Sequence, residues 1–103
     1  MTDRQQETLP FGDSIQSRFE RFHDANPWVL TKLEEMTGEL VARGRRRIGI
    51  AMLFEVIRWE HLRSTTGDPF RLNNSFRSRY VRLMIHRHPE WADVFETRET
   101  RSA

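Results

Sequence analysis

The side chains of this chain that could bind a ligand are concentrated in the segment 73–87, and many of them are basic. Apolar spacing predicts a helix that begins at Asn73 or Asn74 and buries one face. Its opposite face combines hydroxyl and basic groups, namely Ser75, Ser78, Arg79, Arg82 and His86, flanked by Arg77. This distribution is typical of a recognition helix, because such groups bind phosphates and base edges. The alternative is an ordinary amphipathic helix whose arginines pair with Glu90, Asp93 or Glu96.

Charge along the chain is strongly uneven, although the formal net charge is only +2. Residues 43–88 hold eleven arginines and three carboxylates, whereas the segments on either side are acidic. Clustered positive charge favours a phosphate-backbone partner. A second interpretation is that the acidic ends fold over the basic middle. Only Lys32 is lysine among seventeen basic residues, a bias that suits bidentate contacts to phosphate or guanine but equally fits a GC-rich genome.

These patterns predict a DNA-binding surface built from two parts of the chain. The residues expected to contact phosphates are Arg45, Arg46, Arg47, Arg71, Arg79 and Arg82. Those expected nearest the bases are Asn73, Asn74, Ser75, Arg77 and Ser78. Three arginines just before a helix oppose its dipole, so they require either solvent or an anionic partner.

Residue patterns for catalysis or metal binding are absent from the sequence. It has no cysteine, which excludes disulfides, thiolate zinc sites and cysteine nucleophiles. It also lacks a glycine-rich phosphate loop, a nucleophile elbow and an HExxH pattern. His86 and His88 are two residues apart and point to different sides of a helix. We therefore expect a non-enzymatic protein with no metal and no cofactor.

The remaining patterns predict a single, mainly α domain over 13–98 with about five helices. We expect a helix-turn-helix-like or winged-helix-like core with at most one short strand pair near 70–72. Asp13 or Ser14 caps the first helix, and Asn26 caps the second, which ends near Gly44. The third, 48–62, carries two apolar stripes and is expected to be central and covered. A short fifth helix is predicted to start at Pro89.

The segment 1–12 has no helical period and is expected to form a flexible arm, and 99–103 a polar tail. Within the arm, Gln6-Glu7-Thr8-Leu9-Pro10-Phe11 resembles the peptide by which bacterial replication and repair proteins bind the β sliding clamp. The resemblance implies that Gln6 makes hydrogen bonds while Leu9 and Phe11 fill an apolar pocket. The alternative is that Leu9 and Phe11 pack against the core.

A longer run of the chain resembles small helical proteins of phages, prophages and bacterial chromosomes. It includes Asn26-Pro27, Gly44-Arg45-Arg46-Arg47-Ile48-Gly49-Ile50, Leu53 to Trp59, Leu72 to Tyr80 and Phe95-Glu96-Thr97-Arg98. The resemblance implies a mobile-element origin and carries over no functional residues. We expect a cytoplasmic, nucleoid-associated DNA-binding protein with a link to replication or repair and no membrane partner. The alternative is a protein-protein interaction module, or a phage-encoded modulator of a host protein, that does not bind DNA.

Overall fold

Four α-helices make up most of the computed structural model, which describes residues 14–64 and 72–96. They are α1 (Ile15–Ala25), α2 (Pro27–Ala42), α3 (Ile50–Ser64) and α4 (Arg77–Arg87). One-turn 3-10 helices, Asn74–Phe76 and Pro89–Trp91, precede and follow α4. The predicted mainly α, single-domain fold is confirmed. The expected fifth helix is only the 3-10 turn at Pro89–Trp91, and no strand forms within 14–64 or 72–96.

Several predicted segments lie partly or wholly outside the described residues. These are the arm 1–12, most of the expected strand near 70–72, and the tail 99–103. Leu72, the last residue of that expected strand, is described and is buried. The winged-helix expectation therefore stays a prediction, since it depends on the segment between α3 and Leu72.

Local signals account for the ends of α1 and α2. Ser14 caps α1, because its hydroxyl accepts a hydrogen bond from the Ser17 backbone N–H at 3.1 Å. Asn26 occupies the cap position of α2 as predicted, yet its side chain does not cap that helix. It donates instead to the Phe22 carbonyl oxygen at 3.0 Å. Gly44 follows the end of α2 with φ +81°, the left-handed conformation that stops helices.

The core is formed by one face of every helix and centres on Tyr80. The Tyr80 ring makes edge contacts with Phe19 of α1, at 4.8 Å between ring centroids, and with Phe54 of α3, at 6.0 Å. Val29 and Leu33 of α2 are fully buried in the same cluster. Residues from 19 to 95 thus contribute to one hydrophobic core.

The prediction that α3 is covered on both apolar stripes is wrong. Leu53, Phe54 and Ile57 are buried, as expected of a core face. The second stripe remains in solvent, with Met52, Val56 and Trp59 exposed by 52%, 37% and 60%. Trp59 is two positions after Ile57, which places the two side chains about 200° apart around the helix. The second stripe therefore points away from the core instead of lying beside the first.

A short backbone clasp joins the start of α3 to the C-terminal part of the described chain. The Ile48 N–H donates to the Val94 carbonyl at 2.8 Å, and the Glu96 N–H donates to the Ile48 carbonyl at 2.9 Å. The resulting parallel bridge pairs Ile48 with Phe95, and both side chains are buried. Because Ile48 takes part in this bridge, α3 begins at Ile50 and not at Ile48 as expected.

Candidate nucleic-acid interface

Helix α4 has a buried back and a polar, basic front. Tyr80, Val81 and Met84 form its buried side. Ser78, Arg82 and His86 are exposed on the other side, and Arg79 is half-buried at its edge. The side chains of the front were predicted from spacing alone, and the helix presents four of them together. We refer to Ser78, Arg79, Arg82 and His86 as the α4 front.

Arg58 of α3 fixes the segment that leads into α4. Its guanidinium donates to the Leu72 carbonyl oxygen and to Asn74 Oδ1, and it also pairs with Glu55. The same group lies 5.8 Å from the centroid of the Phe54 ring. Sequence reasoning did not identify this role of Arg58. The available signal was its position four residues after Phe54, which places both on one side of α3.

Asn73 and Asn74, which were expected near the bases, also stabilise the fold. Asn73 Oδ1 accepts from the Ser75 N–H at 2.8 Å and so caps the 3-10 turn before α4. Asn74 Oδ1 accepts from Arg58. Their carboxamide NH2 groups remain as donors, since both residues are exposed. The carbonyl oxygens of the two side chains are occupied by the fold itself.

Ser75 and Arg77 are partly buried. The Ser75 hydroxyl and Arg77 Nε are buried, and neither has a hydrogen-bond partner among the described residues. Arg77 is three residues before Tyr80 and thus on the inner side of the helix. The structure therefore separates these two residues from the α4 front.

The two arginines of the α4 front carry charge that no direct ion pair neutralises within the described residues. Arg79 Nε donates to Gln16 Oε1 at 3.0 Å, and Gln16 Nε2 in turn donates to Glu20 Oε2 at 3.0 Å. This amide orients Arg79 without cancelling its charge. Arg82 is exposed, and no partner for it exists within 14–64 and 72–96. Neither arginine pairs there with the carboxylates that the amphipathic-helix alternative required.

Arg87, at the end of α4, differs from Arg79 and Arg82 because it forms an ion pair with a carboxylate. Arg87 and His88 both bond to Glu34 of α2, the His88 Nε2 contact being 3.0 Å. The Glu34 side chain is only 16% exposed. Burial tends to raise the pKa of this carboxyl, but the hydrogen bonds from Arg87 and His88 outweigh it and the pKa lies below its usual value. This cluster ties α4 to α2.

The arginines before α3 form a separate basic group. Arg46 pairs with Asp93 at 3.2 Å, and both side chains are well exposed, so the pair contributes little stability. Arg45 and Arg47 are exposed with no ion pair in the described part of the chain. Arg47 adopts φ +63°, an uncommon conformation for a residue with a side chain. Asp93 follows the end of α4, whereas Arg79 is in its first turn, so the two groups adjoin opposite ends of that helix.

Other site chemistry is not supported within the described residues. No group of three or more histidine, aspartate or glutamate side chains there is arranged to hold a metal ion. None of the described helices has the length and hydropathy needed to cross a membrane. Arg71, Gln6, Leu9 and Phe11 lie outside the described residues, so their predicted contacts stay predictions.

Comparison of the chain with protein-family models, curated proteins and solved structures gave no significant match. Within the described residues, the protein is a small α-helical domain in which α4 has a basic outward side and α3 an apolar outward side.

Proposed function

We propose that this protein is a non-enzymatic, DNA-associated protein that binds DNA through the α4 front. The observation that carries the proposal is the position of Arg79 and Arg82. Both stand on the outer side of a helix with a buried back, and neither is neutralised by a carboxylate among the described residues. A rigid helix that presents unpaired arginines is suited to a regularly spaced row of phosphates.

The surrounding groups would add contacts in a defined order. Arg79 and Arg82 would bind phosphates, and the Ser78 hydroxyl and the Asn73 and Asn74 amide groups would lie nearest the groove. The exposed loop arginines Arg45 and Arg47 would reach flanking phosphates beyond the other end of α4. Ser75 and Arg77, being only partly exposed, would contact DNA less than the residues of the α4 front.

Salt-dependent binding to duplex DNA tests the proposal directly. Fluorescence anisotropy with a labelled duplex measures the binding constant at each salt concentration. The logarithm of that constant should fall linearly with the logarithm of the salt concentration, with a slope of about −0.9 for each phosphate neutralised. Two to four contacts predict a slope of roughly −2 to −4. Absence of binding at low salt would contradict the proposal. It would favour the alternative, in which the arginines meet an acidic surface of a host protein.

The arm supplies a second, separable part of the proposal, a tether to the bacterial sliding clamp. It rests on the resemblance of Gln6, Leu9 and Phe11 to the clamp-binding peptide. A chain with all three replaced by alanine should lose clamp binding while it keeps its DNA affinity and its helical content. Equal clamp binding by the two chains would refute the tether and leave the DNA proposal intact. Clamp binding would also support the proposed link to replication or repair.

A further inference from the structure

Gln16, in the first turn of α1, is the side chain by which α1 contacts the α4 front. Its side-chain oxygen accepts a hydrogen bond from Arg79 Nε at 3.0 Å, and its amide nitrogen donates to Glu20 Oε2, also at 3.0 Å. A guanidinium only donates hydrogen bonds and a carboxylate only accepts them, so the amide between them has a single favourable orientation. The three side chains therefore form a chain of hydrogen bonds with a fixed direction, from Arg79 through Gln16 to Glu20.

We infer that Gln16 is a positioning residue of the DNA interface, which orients the Arg79 side chain for a phosphate. The inference rests on the proposed function of the α4 front. An unrestrained arginine loses side-chain freedom when it binds, and this loss weakens affinity. Arg79 is half-buried and already bonded to Gln16. It therefore loses less freedom on binding than an arginine that extends freely into solvent.

The hydrogen bond also selects the part of the guanidinium that faces outward. An arginine binds a phosphate with its planar fork of N–H donors, either through the edge that includes Nε or through its two terminal Nη groups. Gln16 occupies the Nε–H of Arg79. The terminal Nη groups remain for a phosphate, so we expect Arg79 to bind one end-on.

An uncharged side chain suits this role because it leaves the positive charge of Arg79 intact. Glu20 is separated from Arg79 by two hydrogen bonds and the Gln16 amide, about 8 Å in all, which is close to the distance over which salt screens charges. Glu20 thus orients the amide without forming an ion pair with Arg79. A carboxylate in place of the amide would also hold the guanidinium, but it would neutralise the charge.

Two Gln16 variants test the inference through the salt slope, the slope of the logarithm of the DNA-binding constant against the logarithm of the salt concentration. Gln16→Met keeps the length of the side chain and removes the acceptor, so Arg79 stays charged but is no longer oriented. Affinity should fall roughly twofold to tenfold, the effect of ordering one arginine, while the slope changes by less than about 0.3. Gln16→Glu keeps the acceptor and adds a charge. Its slope should become less steep by about 0.9, because one phosphate contact is lost.

Control variants separate this role from a structural one. Thr31→Glu adds the same charge to the exposed side of α2 and should change the slope by less than about 0.3. Arg79→Ala removes the group that Gln16 orients, so Gln16→Met should have no further effect on affinity in that background. Gln16 is exposed, so the fold should tolerate both substitutions, and far-UV circular dichroism with a thermal melt verifies this.

The outcomes distinguish this inference from the proposed function. If the unmodified chain binds no duplex, both are refuted. If it binds and Gln16→Met binds equally well, only the positioning role is refuted. An equal loss of affinity on Gln16→Met in the Arg79→Ala background would also overturn it, since Gln16 would then act independently of Arg79. Without DNA, the NMR signal of the Arg79 Nε–H should shift in Gln16→Met, and an unchanged signal would show that the pair does not form.

Discussion

Neutralising Arg79 and Arg82 together should weaken DNA binding and its dependence on salt. If each contacts one phosphate, the double alanine variant loses two contacts and its salt slope becomes less steep by about 1.8. At 0.1 M salt the same loss corresponds to roughly a fiftyfold lower affinity. Neither arginine is paired with a carboxylate in the described structure, so their removal leaves no buried charge behind. Fluorescence anisotropy with one duplex at five or more salt concentrations gives both quantities.

A matched control separates local contact from the change in net charge. Arg63 is paired with Glu60 within α3, and Arg43, the residue that follows α2, is paired with Glu39 of that helix. Replacing both by alanine also removes two positive charges, but the paired carboxylates already neutralise these charges in part. We expect this control to change the salt slope by less than about 0.5. Equal slopes for the two double variants, or an unchanged slope for Arg79→Ala/Arg82→Ala, would refute the assignment of the α4 front.

Three further predictions concern stability and are measured by urea unfolding. Tyr80→Phe should raise the free energy of unfolding by about 1 kcal/mol, because the buried Tyr80 hydroxyl has no partner among the described residues. Burial raises the pKa of Tyr80, so the native protein should lose stability as the pH rises above about 10, and the phenylalanine variant should lose less. Glu34→Gln should lower the free energy of unfolding at pH 7, because it removes the carboxylate charge to which Arg87 and His88 are bonded. Because the pKa of Glu34 is lowered, this difference should disappear as the pH falls below 4.5. Gly38→Ala should stabilise α2 by up to about 1 kcal/mol, whereas Gly44→Ala should cost about 1 kcal/mol.

The Gly38 and Gly44 substitutions serve as controls for each other. A Cβ at Gly38 would meet Trp91 at 3.8 Å, an ordinary contact, so helix propensity decides the sign. A Cβ at Gly44 would meet nothing within 4 Å, so its positive φ alone decides. Destabilisation by Gly38→Ala would indicate that Trp91 cannot adjust. A less stable Tyr80→Phe would indicate a hydrogen-bond partner for the hydroxyl, and a Glu34→Gln effect that does not diminish as the pH falls below 4.5 would exclude the charged pair as its cause.

Periodicity and capping residues were sufficient to predict the helical fold. The buried and outward sides of α4 followed from the spacing of Tyr80, Met84 and Arg82, and Gly44 marked the end of α2. These are local properties, which a single helix determines for itself. The side-chain role of Asn26 was missed because the Phe22 carbonyl oxygen competes for the same amide.

Long-range contacts could not be predicted in this way. Periodicity showed that α3 has two apolar stripes, but it could not show that only one of them meets other helices. The roles of Arg58 and Asn74 depend on a contact between segments sixteen residues apart. The clasp between Ile48 and Phe95 has no recognisable motif in the sequence, since two backbone hydrogen bonds require no particular side chain.

That clasp has a consequence for how the protein is made on the ribosome. The ladder between Ile48 and its partners needs the Val94 carbonyl and the Glu96 N–H, and Trp91, Val94 and Phe95 complete the core. A nascent chain that has reached only residue 90 contains all four α-helices in sequence but lacks both hydrogen-bond partners of Ile48 and three buried side chains of the core. We therefore expect the fold to become stable only once residues 91–96 have been made, and a chain that stalls before them to expose apolar surface to chaperones and proteases.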